Sequence, residues 1–157
     1  MPRTTTAFAA ALALFLPLGR PLLVGLTPAI GIAAGLLSTQ AAYAQNATDL
    51  FNSGLDKAES GNLKGAIADW TKAIDIYPRY AHAYYNRGIA KRLLDDYEGA
   101  ISDYSKAIAL NPNYYQAYTN RGIILEIVGD LKGACKDWKK AVDLGDTELI
   151  EWVRTQC

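Results

Sequence analysis

Histidine is nearly absent from this sequence, which holds only His82, and there are just two cysteines, Cys135 and Cys157. Two cysteines and one distant histidine do not supply the four ligands of a structural zinc site. No Cys-x-x-Cys pair is present for redox chemistry. His82 begins a helical stretch beside Tyr84 and Tyr85, and no glycine-rich phosphate loop, histidine cluster or nucleophile motif accompanies it. The acidic pair Asp95 and Asp96 reads as turn and helix-start chemistry. These shortages point away from an enzyme and leave no cofactor or metal to expect.

An excess of charge is missing too, because 16 basic groups meet 16 acidic ones. Without a basic patch or tail, nucleic acid is not an expected partner, nor is an anionic membrane surface.

The first 44 residues contain Arg3, Arg20 and no acid. One apolar run extends from Ala7 to Leu18 and a second from Leu22 to Leu37, followed by "AAYAQN". The pattern reads as an export signal, with Ala42 and Ala44 as the small residues before cleavage after Ala44. The alternative is an uncleaved anchor over residues 21–37, although Gly25, Pro28, Gly31 and Gly35 interrupt that run. No twin-arginine pair is present, and no cysteine lies near the cleavage site to carry a lipid. Cleavage leaves residues 45–157, which carry 14 basic and 16 acidic groups once Arg3 and Arg20 are lost. The expected location is the periplasm or another space outside the cytoplasm.

Beyond residue 46 the sequence repeats itself every 34 residues. "YNRGIAK" at 85–91 returns as "TNRGIIL" at 119–125, and the units run over about 47–80, 81–114 and 115–146. Gly54, Gly88 and Gly122 share one column, and Ala66, Ala100 and Ala134 share another. Trp70, Tyr104 and Trp138 form an aromatic column, with Ala73, Ala107 and Ala141 one turn on. Small residues let two helices approach closely while the aromatic ring fills the space beside them. The apolar spacing inside each unit is helical, and Pro78 and Pro112 follow the second stretch, where a residue without an N–H stops a helix. Helices are therefore expected at about 48–60, 64–76, 81–94, 98–110, 115–128 and 132–144.

A 34-residue period with Gly, Ala, aromatic, Ala and Pro in these columns resembles the tetratricopeptide repeat. The resemblance covers residues 47–157, with Leu50 in a column that the family often fills with Trp, and Asp146 where the third repeat lacks its closing Pro. It implies an all-α, right-handed superhelical solenoid of helix-turn-helix repeats.

A repeat array exposes an apolar face at its last unit unless something covers it. Residues 147–156 read as a capping helix, with Leu149, Trp152 and Val153 on one stripe and Asp146 or Thr147 as its N-cap. If this helix runs back along 132–144 from a turn at Gly145, position 157 falls beside 133–135. Cys135 and Cys157 are then placed to form a disulfide closing a loop of about 22 residues; two free thiols are the alternative.

By resemblance, peptides bind the concave face lined by the first helix of each pair. Column by column that lining comprises Thr48, Phe51, Asn52 and Leu55; His82, Tyr85, Asn86, Ile89 and Arg92; and Gln116, Thr119, Asn120, Ile123 and Glu126. In the family's carboxylate clamp, Lys, Asn, Asn, Lys and Arg grip an acidic C-terminus. The matching positions here are Phe51, Leu55, Asn86, Gln116 and Asn120, so only Asn86 agrees and the cations are missing. An apolar and aromatic groove fits a segment with hydrophobic anchors, although the same rings could instead pack between neighbouring first helices. The expected function is a non-catalytic protein or peptide interaction outside the cytoplasm, as scaffold, adaptor or assembly factor. A membrane-tethered or self-associating module that organises an envelope complex is the competing expectation.

Overall fold

The computed structural model describes residues 30–157, with side chains from residue 44 onward. Seven α-helices follow one another: α1 (Ile30–Glu59), α2 (Leu63–Ile76), α3 (Ala81–Leu93), α4 (Tyr97–Leu110), α5 (Tyr115–Ile127), α6 (Leu131–Asp143) and, after a 3-10 turn at Thr147–Leu149, α7 (Ile150–Gln156). Helices α1 and α2, α3 and α4, and α5 and α6 pack as pairs, and α2 meets α3 as α4 meets α5. This is the all-α solenoid expected from the period.

Each pair forms because three local devices recur at 34-residue spacing. Asn62, Asp96 and Asp130 cap the second helices, their side chains accepting from the N–H groups of Gly65, Gly99 and Gly133 at 2.9–3.0 Å. The residue before each cap has positive φ: Gly61 at 81°, Asp95 at 61° and Gly129 at 88°. That left-handed step turns the chain back on itself, and Asp95 is the one position of the three where a side chain must tolerate it.

The third device sets how closely a pair approaches. A Cβ built on Gly122 would lie 2.5 Å from Trp138 Nε1, and one on Gly88 would lie 2.8 Å from Tyr104 Cε1. The glycine column therefore seats the aromatic column, and Trp70, Tyr104 and Trp138 are almost wholly buried. The Trp70 indole N–H donates to Phe51 O at 3.1 Å, and that of Trp138 to Thr119 O at 3.3 Å. Tyr104 stands where the others have Trp, and its buried hydroxyl lies beside Arg92 instead of donating to a backbone carbonyl.

Two expectations need correction. The first helix does not start at about 48: it is already present at Ile30, the first described residue, and runs through Ala44 without a break. Residues 30–44 hold five alanines and two leucines and no proline, so despite Gly31 and Gly35 no strong breaker stops the helix. The export-signal reading up to residue 29 lies outside the described residues. Among those described, no helix is long and apolar enough to cross a membrane.

The cap also differs. It is a 3-10 turn followed by a two-turn helix, and neither Asp146 nor Thr147 caps it with a side chain. No residue of α7 is buried, and Trp152 is 43% exposed even though its ring stands edge-on to Trp138. The chain does run back along α6 as expected, bringing Cys157 within 5.5 Å of Cys135, Cα to Cα, with the two sulfurs at bonding distance.

Candidate functional site

The second half of α1 with α3 and α5 forms one layer of the solenoid, and α2, α4 and α6 form the other. Across the first layer Asn120 Nδ2 donates to the Tyr85 hydroxyl at 3.1 Å, linking α5 to α3. Aromatic rings close the gap between successive repeats. Phe51 stacks at a tilt on Tyr80, 4.9 Å between centroids, and Tyr85 on Tyr114 at 4.7 Å. These pairs occupy equivalent columns, each joining a first helix to the residue that precedes the next one.

The apolar residues expected to line the groove serve two purposes. Phe51 and Leu55 lie against the cluster of Ala66, Trp70 and Ala90, and Tyr85 and Ile89 against that of Ala100, Tyr104 and Ile124. All four remain partly exposed, so each contributes to packing and to the surface. Ile123 is also half-buried, in the same column as Leu55 and Ile89.

Asn52, Asn86 and Asn120 share one column of the repeat, a ladder that divides into three situations. Asn52 is exposed. Asn86 donates to His82 O at 2.9 Å in its own helix. Asn120 donates to Gln116 O at 2.9 Å as well as to Tyr85, so both of its N–H bonds are engaged and its carbonyl oxygen is left to accept. Arg92, the groove's one arginine, has a buried Nε without a partner and lies close enough to Tyr85, Tyr97 and Tyr104 for its charge to act on all three. Burial nevertheless dominates at Tyr85 and Tyr104 and raises both phenols, as it does at Tyr114.

The third repeat breaks the aromatic pattern. Thr119 takes the column of Phe51 and Tyr85, and Glu148 takes that of Tyr80 and Tyr114. In place of stacked rings, the Thr119 hydroxyl donates to Asp146 Oδ2 at 2.6 Å. Asp146 is 8% exposed. Together with Tyr115, Gln116, Asn120, Gly145, Thr147 and Glu148 these two residues line a cleft of about 290 Å³ at the end of the groove.

Sequence reasoning missed a second ladder, the buried carboxylates Asp69, Asp103 and Asp137, one in each second helix. Arg87 holds Asp103 through Nε and Nη2 at 2.9 and 2.7 Å, and its Nη1 reaches back one repeat to the Thr71 hydroxyl at 3.0 Å. Arg121 repeats the arrangement, holding Asp137 at 2.7 and 2.8 Å and reaching Ser105 at 2.8 Å. Repeat one has Ser53 in the arginine column, and Asp69 pairs with Ser53 and Lys57 instead. At the other end Lys139 replaces the hydroxyl and donates to Cys157 O at 3.0 Å. The signal was present as an Asp directly before each ring of the aromatic column.

The fold and its lined face define a class, the helical-repeat scaffold that offers a groove. Tetratricopeptide repeat profiles match residues 81–114 and 104–136, and a TPR repeat profile matches residues 54–93. Among solved structures, the first TPR of Spaghetti (RPAP3), bound to the HSP90 peptide SRMEEVD, is 30% identical with a TM-score of 0.67, the match covering 72% of this chain and 91% of that one. MamA is 25% identical with a TM-score of 0.64, over 71% of this chain and 64% of its own. The Arabidopsis OM64 TPR domain shares the fold at 22% identity, with a TM-score of 0.67 over 73% of this chain and 99% of that domain. No curated protein matches the sequence. The chain belongs to the tetratricopeptide repeat family.

Proposed function

We propose that this chain is a non-catalytic protein-interaction module acting outside the cytoplasm, as a scaffold, adaptor or assembly factor that holds a peptide segment of its partner in the groove of α1, α3 and α5. The observation that carries the reading is the row of half-exposed rings, Phe51 with Tyr80 and Tyr85 with Tyr114, bordered by Asn52, Asn86 and Asn120. Rigid aromatic faces give contact area at small entropic cost, and amide groups beside them can pair with a peptide backbone. The likeness to the first and second TPRs of Spaghetti, both bound to a peptide, supports the same use here. Their peptide, SRMEEVD, is acidic, and the columns that would clamp a carboxylate hold Phe51, Leu55 and Gln116 in this chain, so the partner is expected to differ.

The ends of the array weigh against assembly by stacking of copies. Ser53 at the first repeat and Lys139 at the last lack the arginine and the hydroxyl that join one repeat to the next. The tethered alternative draws its support from α1, which continues without interruption through Ala44.

Selection of random peptides on the immobilised full-length chain tests the groove. Asn52→Arg with Asn86→Arg, two positions on its rim, should abolish capture at an unchanged melting temperature. Equal capture by this variant and by one altered at Lys72 and Lys106, on the exposed side of α2 and α4, would exclude the groove. The mass of the exported chain tests the location, with residues 45–157 expected.

A further inference from the structure

Of the four buried carboxylates, Asp69, Asp103 and Asp137 each hold a cation, from Lys57, from Arg87 with Lys91, and from Arg121. Asp146 holds none. Among the described residues its one hydrogen-bond donor is the neutral hydroxyl of Thr119, although it is buried to a similar degree. Most of the residue is covered, yet Asp146 lines an open cleft whose walls hold no cation, so a cation entering from solvent can pair with it.

Its surroundings show from which side that completion can come. Asp146 lines the open cleft with Glu148, and the other walls are the ring of Tyr115, the amides of Gln116 and Asn120, and Thr147. Lys and Arg are absent from that lining. The Asn120 amide has both N–H bonds engaged, so it offers the cleft only an acceptor. Two carboxylates, an amide oxygen and an aromatic ring form a site for a cation that also donates several hydrogen bonds, as a guanidinium or ammonium does. The ring pair of Tyr85 and Tyr114 lies in the next repeat of the same groove, linked to the cleft through Asn120.

We infer that the groove selects a peptide carrying an arginine or lysine, whose cationic head enters the cleft at Asp146 and Glu148 while a neighbouring apolar side chain lies on Tyr85 and Tyr114. This rests on the groove reading above and gives it a polarity: aromatic over the first two repeats, anionic at the third. The substitution of Asp for the closing Pro and of Thr for the groove aromatic thereby acquires a common purpose, since both are needed to make the site.

Peptides recovered by selection on the full-length chain should be enriched in Arg or Lys next to an aliphatic or aromatic residue. A fluorescein-labelled copy of the most enriched peptide should bind at least about tenfold more tightly than its Arg-to-Glu counterpart, since a buried charged hydrogen bond is commonly worth that much. Asp146→Asn with Glu148→Gln should lower affinity for the basic peptide about tenfold and flatten its dependence on salt. The Asn side chain can still accept from Thr119, and an unchanged melting temperature verifies that the repeat remains folded. If peptides bind, and Asn52→Arg with Asn86→Arg removes them, but they carry no basic enrichment and ignore the double carboxamide variant, this inference fails and the groove reading stands. If no peptide of any charge is captured, both fail.

Discussion

Arg87 grips Asp103 with two parallel hydrogen bonds and, with its remaining terminal nitrogen, the Thr71 hydroxyl of the repeat before it. One side chain thus fastens a helix pair internally and fastens it to its neighbour. The aspartate is 3% exposed, so removing the guanidinium leaves a buried charge held by Lys91 alone. Arg87→Ala should cost about 2–3 kcal/mol in chemical denaturation, somewhat less than a fully orphaned buried ion. Lys57→Ala, which removes a more exposed partner of Asp69, should cost clearly less. Equal losses would mean that the reach to Thr71 adds nothing.

The glycine column gives a sharper steric test. Gly122→Ala sets a methyl group against the Trp138 indole, whose Nε1 and Cδ1 lie 2.5 and 2.7 Å from the new atom. Helix propensity favours alanine by about 1 kcal/mol, and overpacking opposes it by about 1–3 kcal/mol. The clash should win, lowering the melting temperature. A rise would show that α5 and α6 separate easily.

Much of this architecture is legible in the sequence because the period of 34 places each packing column in register, and glycine, alanine and aromatic columns have simple steric meanings. The Asp69, Asp103 and Asp137 ladder is just as periodic, yet an aspartate on an amphipathic helix ordinarily faces water. Only the approach of Arg87 and Arg121 from the partner helix shows that it is inside. The helical state of residues 30–44 is hidden for another reason: they lack the period, and their composition suits a signal segment and a helix alike. Asp146 is visible as a departure from the closing Pro, but its contact with Thr119 spans 27 residues and depends on the turn at Gly145.

Burial delays the titration of three tyrosines, Tyr85 and Tyr114 in the groove and Tyr104 in the core behind it. Tyr85, Tyr104 and Tyr114 are all raised above the ordinary value of about 10, with burial as the first cause. Their neutral forms favour the folded chain, so this stabilisation is complete below about pH 10 and is lost as pH rises through the folded values. Tyrosinate absorbance of the folded chain should lag behind that of the urea-unfolded chain, with stability declining over the same alkaline range. Coincident titration curves would show that the rings are open to solvent.

The pairing of Cys135 with Cys157 predicts no labelled thiol when the chain, purified without reductant, is unfolded and treated with a maleimide. Since α7 buries no residue of its own, reduction should speed hydrogen exchange over 150–157 and leave α3 and α4 protected. Two labelled thiols per chain would overturn the pairing.

The uneven ends of the arginine ladder make the three repeats unequal as building blocks. Only residues 81–114 carry both halves of the joint, Arg87 to grasp the unit before and Ser105 to be grasped by the unit after. That middle segment is therefore the interchangeable part: duplicated in tandem between residues 80 and 115, it should lengthen the array by one rung for each copy. The first and last repeats act as terminators, so the number of rungs is written into the chain by Ser53 and Lys139.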